Sequence, residues 1–289
     1  MSSQIEIDKS LAAMLVKEQF SQWQELTITP VANSGWDNRT FHLGDAMSIR
    51  IPSSKEYAPQ IIKEYDYLPQ LAQAISICKI TTPLALGLPS VHYRWHWSIN
   101  SWINGNTASK NNISSMTQFA EDLGAFLNQF QRVDAKNGPV AGAHNFHRGG
   151  DLSVYTSDVE AALLKMMDKK EQALAKQLWG DAIATQWDKE PVWVHGDIAV
   201  GNILVDQGKL CAIIDFGQLA IGDPACDLAI AWNFFNGESR SRFKEQVALD
   251  SNTWMRALGW TFWKTLCWPI SGTDVNRILL DVYSDYQRI

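Results

Sequence analysis

The chain has 289 residues, 46% apolar and 19% charged, with a formal net charge of −6. That length suits two modest domains or lobes with a substantial buried core, and the composition excludes intrinsic disorder. The acidic balance argues against a nucleic-acid partner, which needs a basic face; it is compatible with a cationic small molecule and equally ordinary for a soluble protein. The first residues, Met1 to Asp8, carry neither a charged n-region nor an apolar h-region. The longest apolar stretches, such as Ala257–Ile270 interrupted by Lys264, are too short to span a bilayer. The expectation is a cytoplasmic protein with no membrane partner; no pattern in the chain bears on its oligomeric state. Cys78, Cys211, Cys226 and Cys267 show no C-x-x-C spacing, and Cys211 and Cys226 lie in apolar runs, which reads as reduced core thiols.

In chain order, Asp8 caps a short predicted helix with Leu11, Leu15 and Val16 on one face. Leu26–Ala32 is β-rich, and Arg39–Leu43 and Met47–Ile51 flank Gly44-Asp45 as a hairpin. Ser53-Ser54 opens a helix through about Leu71, with Ile61, Tyr65 and Leu68 at helical spacing. Trp95–Ile103 reads as a strand, and Asn104-Gly105-Asn106 is a turn cluster taken as the lobe boundary. Ile113, Met116, Phe119, Ala120, Leu123, Phe126, Leu127 and Phe130 mark a core helix. Three helical stretches follow the motif region described next. Strands grouped early and helices late give an α+β chain, divided into 1–103 and 104–289.

The richest stretch runs from residue 193 to 235. His195-Gly196-Asp197 is followed by Asn202, then by the apolar strand Leu210–Ile214 ending in Asp215-Phe216-Gly217, then by Gly222-Asp223-Pro224 and Asp227. Phosphoryl transfer needs a group to accept or orient the attacking hydroxyl's proton and hard oxygen ligands for Mg2+, held at fixed distances. Asp197 suits the first role, and Asn202 and Asp215 the second. The spacing matches the catalytic-loop and D-F-G signatures of kinases, with H-G-D for H-R-D. Asp223 also reads as a helix N-cap with Pro224 at the first helical position.

H-G-D-x-x-x-x-N, I-D-F-G and G-D-P-x-x-D-L-A together resemble the aminoglycoside phosphotransferase family of kinase-like enzymes. The stretch from Ser34-Gly35-Trp36 through Arg50-Ile51-Pro52 and the run His147-Arg148-Gly149-Gly150 are similar to one bacterial subgroup of it. The resemblance runs from about Val31 onwards. It implies a protein-kinase-like bilobal fold, a small β-rich N-terminal lobe with a larger, mainly helical C-terminal lobe. It also implies ATP or GTP as donor, Mg2+ as cofactor, a small-molecule acceptor and, for an antibiotic acceptor, resistance. Aminoglycosides are the family's named acceptors; related folds act on macrolides, choline, homoserine or other metabolites.

For the nucleotide, the loop Asn33-Ser34-Gly35-Trp36 offers one glycine, with Ser34 and backbone N–H groups able to meet phosphate oxygens. Arg50 stands where kinases carry a strand lysine and can grip phosphate as a fork; Glu64, on the predicted helix, is the candidate to orient it. Both also read as ordinary exposed charges. The resemblance makes Asn100–Ile103 the hinge, with Ser101, Trp102 and Ile103 meeting the adenine. Gly196 in place of arginine, and a short Phe216–Gly222 segment without Ser, Thr or Tyr, point away from a regulated protein kinase. Glu238, Glu245, Asp250, Asp274, Asp281 and Asp285 are available for a cationic acceptor, or are solvated helix charges. His144, Asn145, His147 and Arg148 read as a structural loop. A pseudokinase that binds nucleotide without turnover is the reading from outside enzymology.

Overall fold

The hairpin expected around Gly44-Asp45 forms the centre of the first sheet in a computed structural model of the chain, which describes residues 6–32, 35, 37–268 and 274–288. The chain divides into two compact units: Met1–Gly105 with Ala212–Gly217, and Asn106–Cys211 with Gln218–Ile289. The segment Ala212–Gly217, which a contiguous division at 103 leaves with the C-terminal part, thus joins the smaller unit.

The smaller unit holds α1 (Lys9–Gln19), β1 (Ile28–Pro30), β2 (Asn38–Leu43), β3 (Met47–Pro52), α2 (Ala58–Ala74), β4 (Lys79–Ile80), β5 (Pro83–Gly87) and β6 (Trp97–Ser101). Asp8 caps α1, accepting from the Leu11 N–H at 2.8 Å. The main sheet runs β1-β2-β3-β6-β5 with every pairing antiparallel. Alternation on β3 sends Ile49 and Ile51 into a core shared with Leu15, Val16, Phe41, Leu43, Trp97 and Ile99. Ser48 and Arg50 take the opposite face. A Cβ at Gly87 would lie 2.0 Å from the Trp97 ring, so glycine there lets the indole close on its neighbour strand.

Two expected elements shift. The helix starts at Ala58, not at Ser53-Ser54, because Ser53 to Tyr57 form turns and Pro59 enters the first turn, where its missing N–H is harmless. Within α2, Ile61 and Leu68 are buried but Tyr65 is 38% exposed; the inward place between them belongs to Glu64. The strand expected over Trp95–Ile103 is confined to Trp97–Ser101.

The larger unit contains β7 (Asn106–Thr107), α3 (Met116–Arg132), α4 (Thr156–Leu163), α5 (Lys169–Ala184), β8 (Val192–Val194), β9 (Ile203–Asp206) and β10 (Lys209–Ile213), whose last two residues belong to the smaller unit. It continues with β11 (Ala220–Gly222), α6 (Ile230–Asn233), α7 (Gly237–Val247), α8 (Ser251–Cys267) and α9 (Val275–Tyr286). Helix α3 buries Phe119, Ala120, Leu123, Phe126, Leu127 and Phe130, while Ile113 precedes its first turn. Helix α8 is apolar around most of its circumference, burying Trp254, Leu258, Trp260, Phe262 and Trp263, as befits a central core helix. It packs against α5, α9 and the turn Pro224–Ala229. β8 pairs with β11 through Val194↔Ala220 and so fixes the start of the loop at His195.

Candidate active site

The loop after β8 is held from beneath. Asp227, 1% exposed, accepts the His195 N–H at 2.7 Å and the Gly196 N–H at 2.8 Å. Burial raises its carboxyl above the ordinary aspartate value, against the pull of His195 and the two N–H donors. Gly196 has φ +82°, and a Cβ there would lie 2.6 Å from the Gln218 carbonyl oxygen. No side chain, arginine included, suits that position. His195 is fully buried and its Nδ1 accepts from the Asp197 N–H at 3.2 Å, which helps hold the loop.

Asp197 has a partner on each carboxylate oxygen. Lys264 Nζ, from α8, donates to Oδ1 at 2.6 Å, and Asn202 Nδ2 donates to Oδ2 at 3.2 Å and to the Asp197 carbonyl at 2.9 Å. Burial pushes the Asp197 carboxyl up, but Lys264, with His195 and Arg148, outweighs it and holds the group below the usual aspartate range. The carboxylate is 38% exposed and therefore open to an incoming hydroxyl. Asn202 spends its amide N–H on Asp197, and among the described residues its Oδ1 makes no hydrogen bond.

The smaller unit builds a second constellation. Arg50 Nη1 donates to both oxygens of Glu64, at 2.8 and 2.7 Å, and Arg50 Nη2 donates to Asp215 Oδ1 at 2.7 Å. Burial raises the Glu64 carboxyl despite Arg50. For Arg50 burial acts downward, and the two carboxylates overcome it, raising the guanidinium above its ordinary value. Asp215 follows β10 with φ +63°, a left-handed conformation that aspartate tolerates better than most residues and that recurs at functional sites. Its side chain is 39% exposed. On the same sheet face, Ser98 Oγ and both amide atoms of Asn100 are buried without a hydrogen-bond partner among the described residues.

Of the other expected nucleotide residues, Ser34 lies outside the described residues, as do Asn33 and Trp36. Gly35 is exposed, its carbonyl accepts from Arg39 Nη1 at 3.1 Å, and a Cβ there would meet nothing. In the segment expected to form the hinge, the Ser101 N–H is bonded to the Thr82 carbonyl at 2.9 Å and the Trp102 N–H to the Ala46 carbonyl at 2.8 Å. Ile103 is the one of the three whose N–H has no such bond among the described residues.

Asp223 caps the Pro224–Ala229 turn through the Ala225 N–H, as expected, but it also forms a buried pair with Arg256, Nε to Oδ2 at 2.6 Å. Cys226 is buried while Cys211 is only half-buried, so the core assignment holds for the former alone. The helix carboxylates have internal partners: Asp250 and Asp274 cap α8 and α9, Asp281 and Asp285 pair with Arg240, and Glu238 and Glu245 flank Arg242. Asn145 pins its loop, donating to the carbonyls of Arg148 and Gln218. No group of three His, Cys, Asp or Glu residues poised for a metal occurs among the described residues. Sequence reasoning missed Lys264 and Arg148. Lys264 was visible only as the charge interrupting an apolar helix.

Residues 27–260 match the model of a phosphotransferase enzyme family, APH. An aminoglycoside 3'-phosphotransferase of Escherichia coli is 27% identical over 147 residues, 47% of this chain and 52% of that protein. One of Salmonella typhimurium is 24% identical over 176 residues, 54% of this chain and 59% of that protein. The chain thus aligns with little more than half the length of these curated relatives. Among solved structures, the GDP complex of wild-type aminoglycoside 2'-phosphotransferase-IIIa superposes with a TM-score of 0.77 at 16% identity, covering 97% of this chain and 100% of that one. A macrolide 2'-phosphotransferase from Brachybacterium faecium gives 0.61 at 16% identity, covering 87% and 88%. The fold is the kinase-like one that the motifs imply, and the chain belongs to the APH phosphotransferase enzyme family.

Proposed function

We propose that this protein is a cytoplasmic, magnesium-dependent phosphotransferase that moves the terminal phosphoryl group of ATP or GTP to a hydroxyl of a small molecule. The observation that carries the reading is the buried bridge Glu64–Arg50–Asp215, which fixes a guanidinium and a partly exposed carboxylate side by side. In this reading Arg50 neutralises phosphate charge and Glu64 keeps its fork oriented. Asp215 and Asn202 are the magnesium ligands. Their chemistry fits: Asp215 Oδ2 and Asn202 Oδ1 are oxygens without a protein hydrogen bond among the described residues, and magnesium takes few protein ligands beside water and phosphate oxygens. When bound, the ion neutralises charge on the phosphates. The unpartnered Ser98 and Asn100 suit a polar ligand on the Arg50 face, and Ser34, Gly35 and the Ser101–Ile103 segment complete the nucleotide reading, with Ile103 supplying the unspent N–H.

Asp197 orients the acceptor hydroxyl. The hydroxyl oxygen bonds to the terminal phosphorus, the bond to the bridging oxygen breaks, the nucleoside diphosphate leaves, and the hydroxyl proton passes to Asp197. A carboxylate held at low pKa is a weak base, so its part is positioning first and proton acceptance late, as a loose transition state requires. The relatives' names put aminoglycosides, then macrolides, into a first acceptor panel.

The reading is tested by thermal melting with magnesium and nucleotide. Saturating ligand should raise the wild-type midpoint by mass action. Asp215→Ala, which also gives up the pair with Arg50, should melt somewhat lower without ligand and lose the magnesium-dependent part of the rise; an unchanged rise removes Asp215 from the site.

A further inference from the structure

Two cations of the larger unit, Lys264 and Arg148, stand beside the loop that carries Asp197. Lys264 spends one of its three N–H donors on Asp197 Oδ1 and is held on a buried helix, its side chain only 19% exposed. Arg148 sits on an aromatic platform, its guanidinium carbon 4.6 Å from the Trp263 ring centroid, 5.4 Å from Trp260 and 5.9 Å from Tyr155. Asn145 anchors its backbone from beneath. Among the described residues the Arg148 side chain makes no hydrogen bond and no ion pair, so the donors on its edge are unspent. It lies against the loop that carries Asp197: a Cβ at Gly196 would be 3.0 Å from Arg148 Cβ. Two fixed cations beside the reacting carboxylate disfavour a polycation there. The six carboxylates that would offset them all serve caps or ion pairs within the unit. Asp158, on α4, accepts from Trp263 Nε1 at 3.4 Å.

We propose that the acceptor carries an anionic group, a carboxylate or a phosphate, near its reacting hydroxyl, and that Arg148 and Lys264 receive it. The proposal rests on the phosphotransferase reading above and names its substrate class. An arginine stacked flat on indoles presents its N–H edge as a fork, which matches the paired oxygens of either anion. Lys264 bridges that anion to Asp197 and so sets the distance between the anion and the hydroxyl.

The test is nucleoside diphosphate release by the full chain with magnesium and ATP, comparing gluconate and glycerate, glucose 6-phosphate, neutral glucose and glycerol, and kanamycin. The expected result is that an anionic acceptor exceeds its neutral counterpart and kanamycin in kcat/KM; which arm responds separates carboxylate from phosphate. Lys264→Met and Arg148→Met should each lower the anionic value by about ten- to a hundredfold, with the nucleotide KM unchanged. Lys264→Arg, which keeps the charge, should retain most of it and guards against a merely structural effect. Preference for kanamycin, no turnover of any anionic acceptor, or equal losses for charged and neutral acceptors in Lys264→Met overturns the proposal. Nucleotide binding measured in parallel separates the two failures. Intact magnesium–nucleotide binding with any of those results sinks the acceptor class alone, whereas absent binding sinks the phosphotransferase reading with it.

Discussion

Arg50 reaches Asp215 at 2.7 Å while its other nitrogen holds Glu64, so one guanidinium ties the third strand to the end of a strand 165 residues later. Removing it leaves a nearly inaccessible carboxylate uncompensated. Arg50→Ala should therefore weaken nucleotide binding and also destabilise the fold by about 3–5 kcal/mol near neutrality. Arg50→Lys keeps the charge and should bind nucleotide with altered turnover, through loss of the fork. Calorimetric melting and nucleotide titration check both.

The same site makes a pH prediction. Burial raises the folded-state pKa of Glu64 above its ordinary 4.5, so folding favours the protonated form. Its contribution is fully present below 4.5 and is lost as pH rises through the folded value. In Arg50→Ala the opposing guanidinium is gone, the folded value rises further, and the loss moves to higher pH. The gap in melting midpoint between wild type and Arg50→Ala should narrow on acidification and lose this pH dependence in the background of Glu64→Gln.

Gly196 combines positive φ with a carbonyl oxygen where a side chain would begin. Gly196→Ala should cost about 1–3 kcal/mol and disturb the two N–H bonds to Asp227. Denaturant unfolding measures the first, and amide exchange at residues 195 and 196 the second.

Arg256 and Asp223 form a buried two-point pair, with side chains 4% and 8% exposed. Arg256→Met should destabilise by about 3–5 kcal/mol, since the carboxylate stays buried without its cation. Arg256→Met with Asp223→Asn should recover part of this, as chemical denaturation of the single and double variants would show.

Much of this was legible in the chain because the signals are local. The H-G-D loop, the strand ending in Asp215 and the Asp223-Pro224 cap are short patterns whose residues act on their neighbours. Arg50 and Glu64 were legible because Arg50 stands where kinases carry a strand lysine and Glu64 follows on the predicted helix. Tyr65 was misjudged because apolar spacing alone cannot reveal that a charged glutamate takes the inward position. Lys264 and Arg256 were invisible because each meets a partner set by tertiary packing, 67 and 33 residues away. Arg148 was seen as part of a loop, but its aromatic platform is assembled from Tyr155 and two tryptophans of α8.

Asp197 directs the acceptor hydroxyl to phosphorus in this mechanism, and Asp197→Asn removes that function with the least change of shape. The amide nearly preserves shape, and the fold should hold because the lost pair with Lys264 is partly exposed. The measurement is acceptor phosphorylation by the variant beside its nucleotide dissociation constant. Turnover should fall by about a hundred- to ten-thousandfold with nucleotide affinity unchanged. Near-normal turnover would contradict the mechanism and favour a nucleotide-binding scaffold.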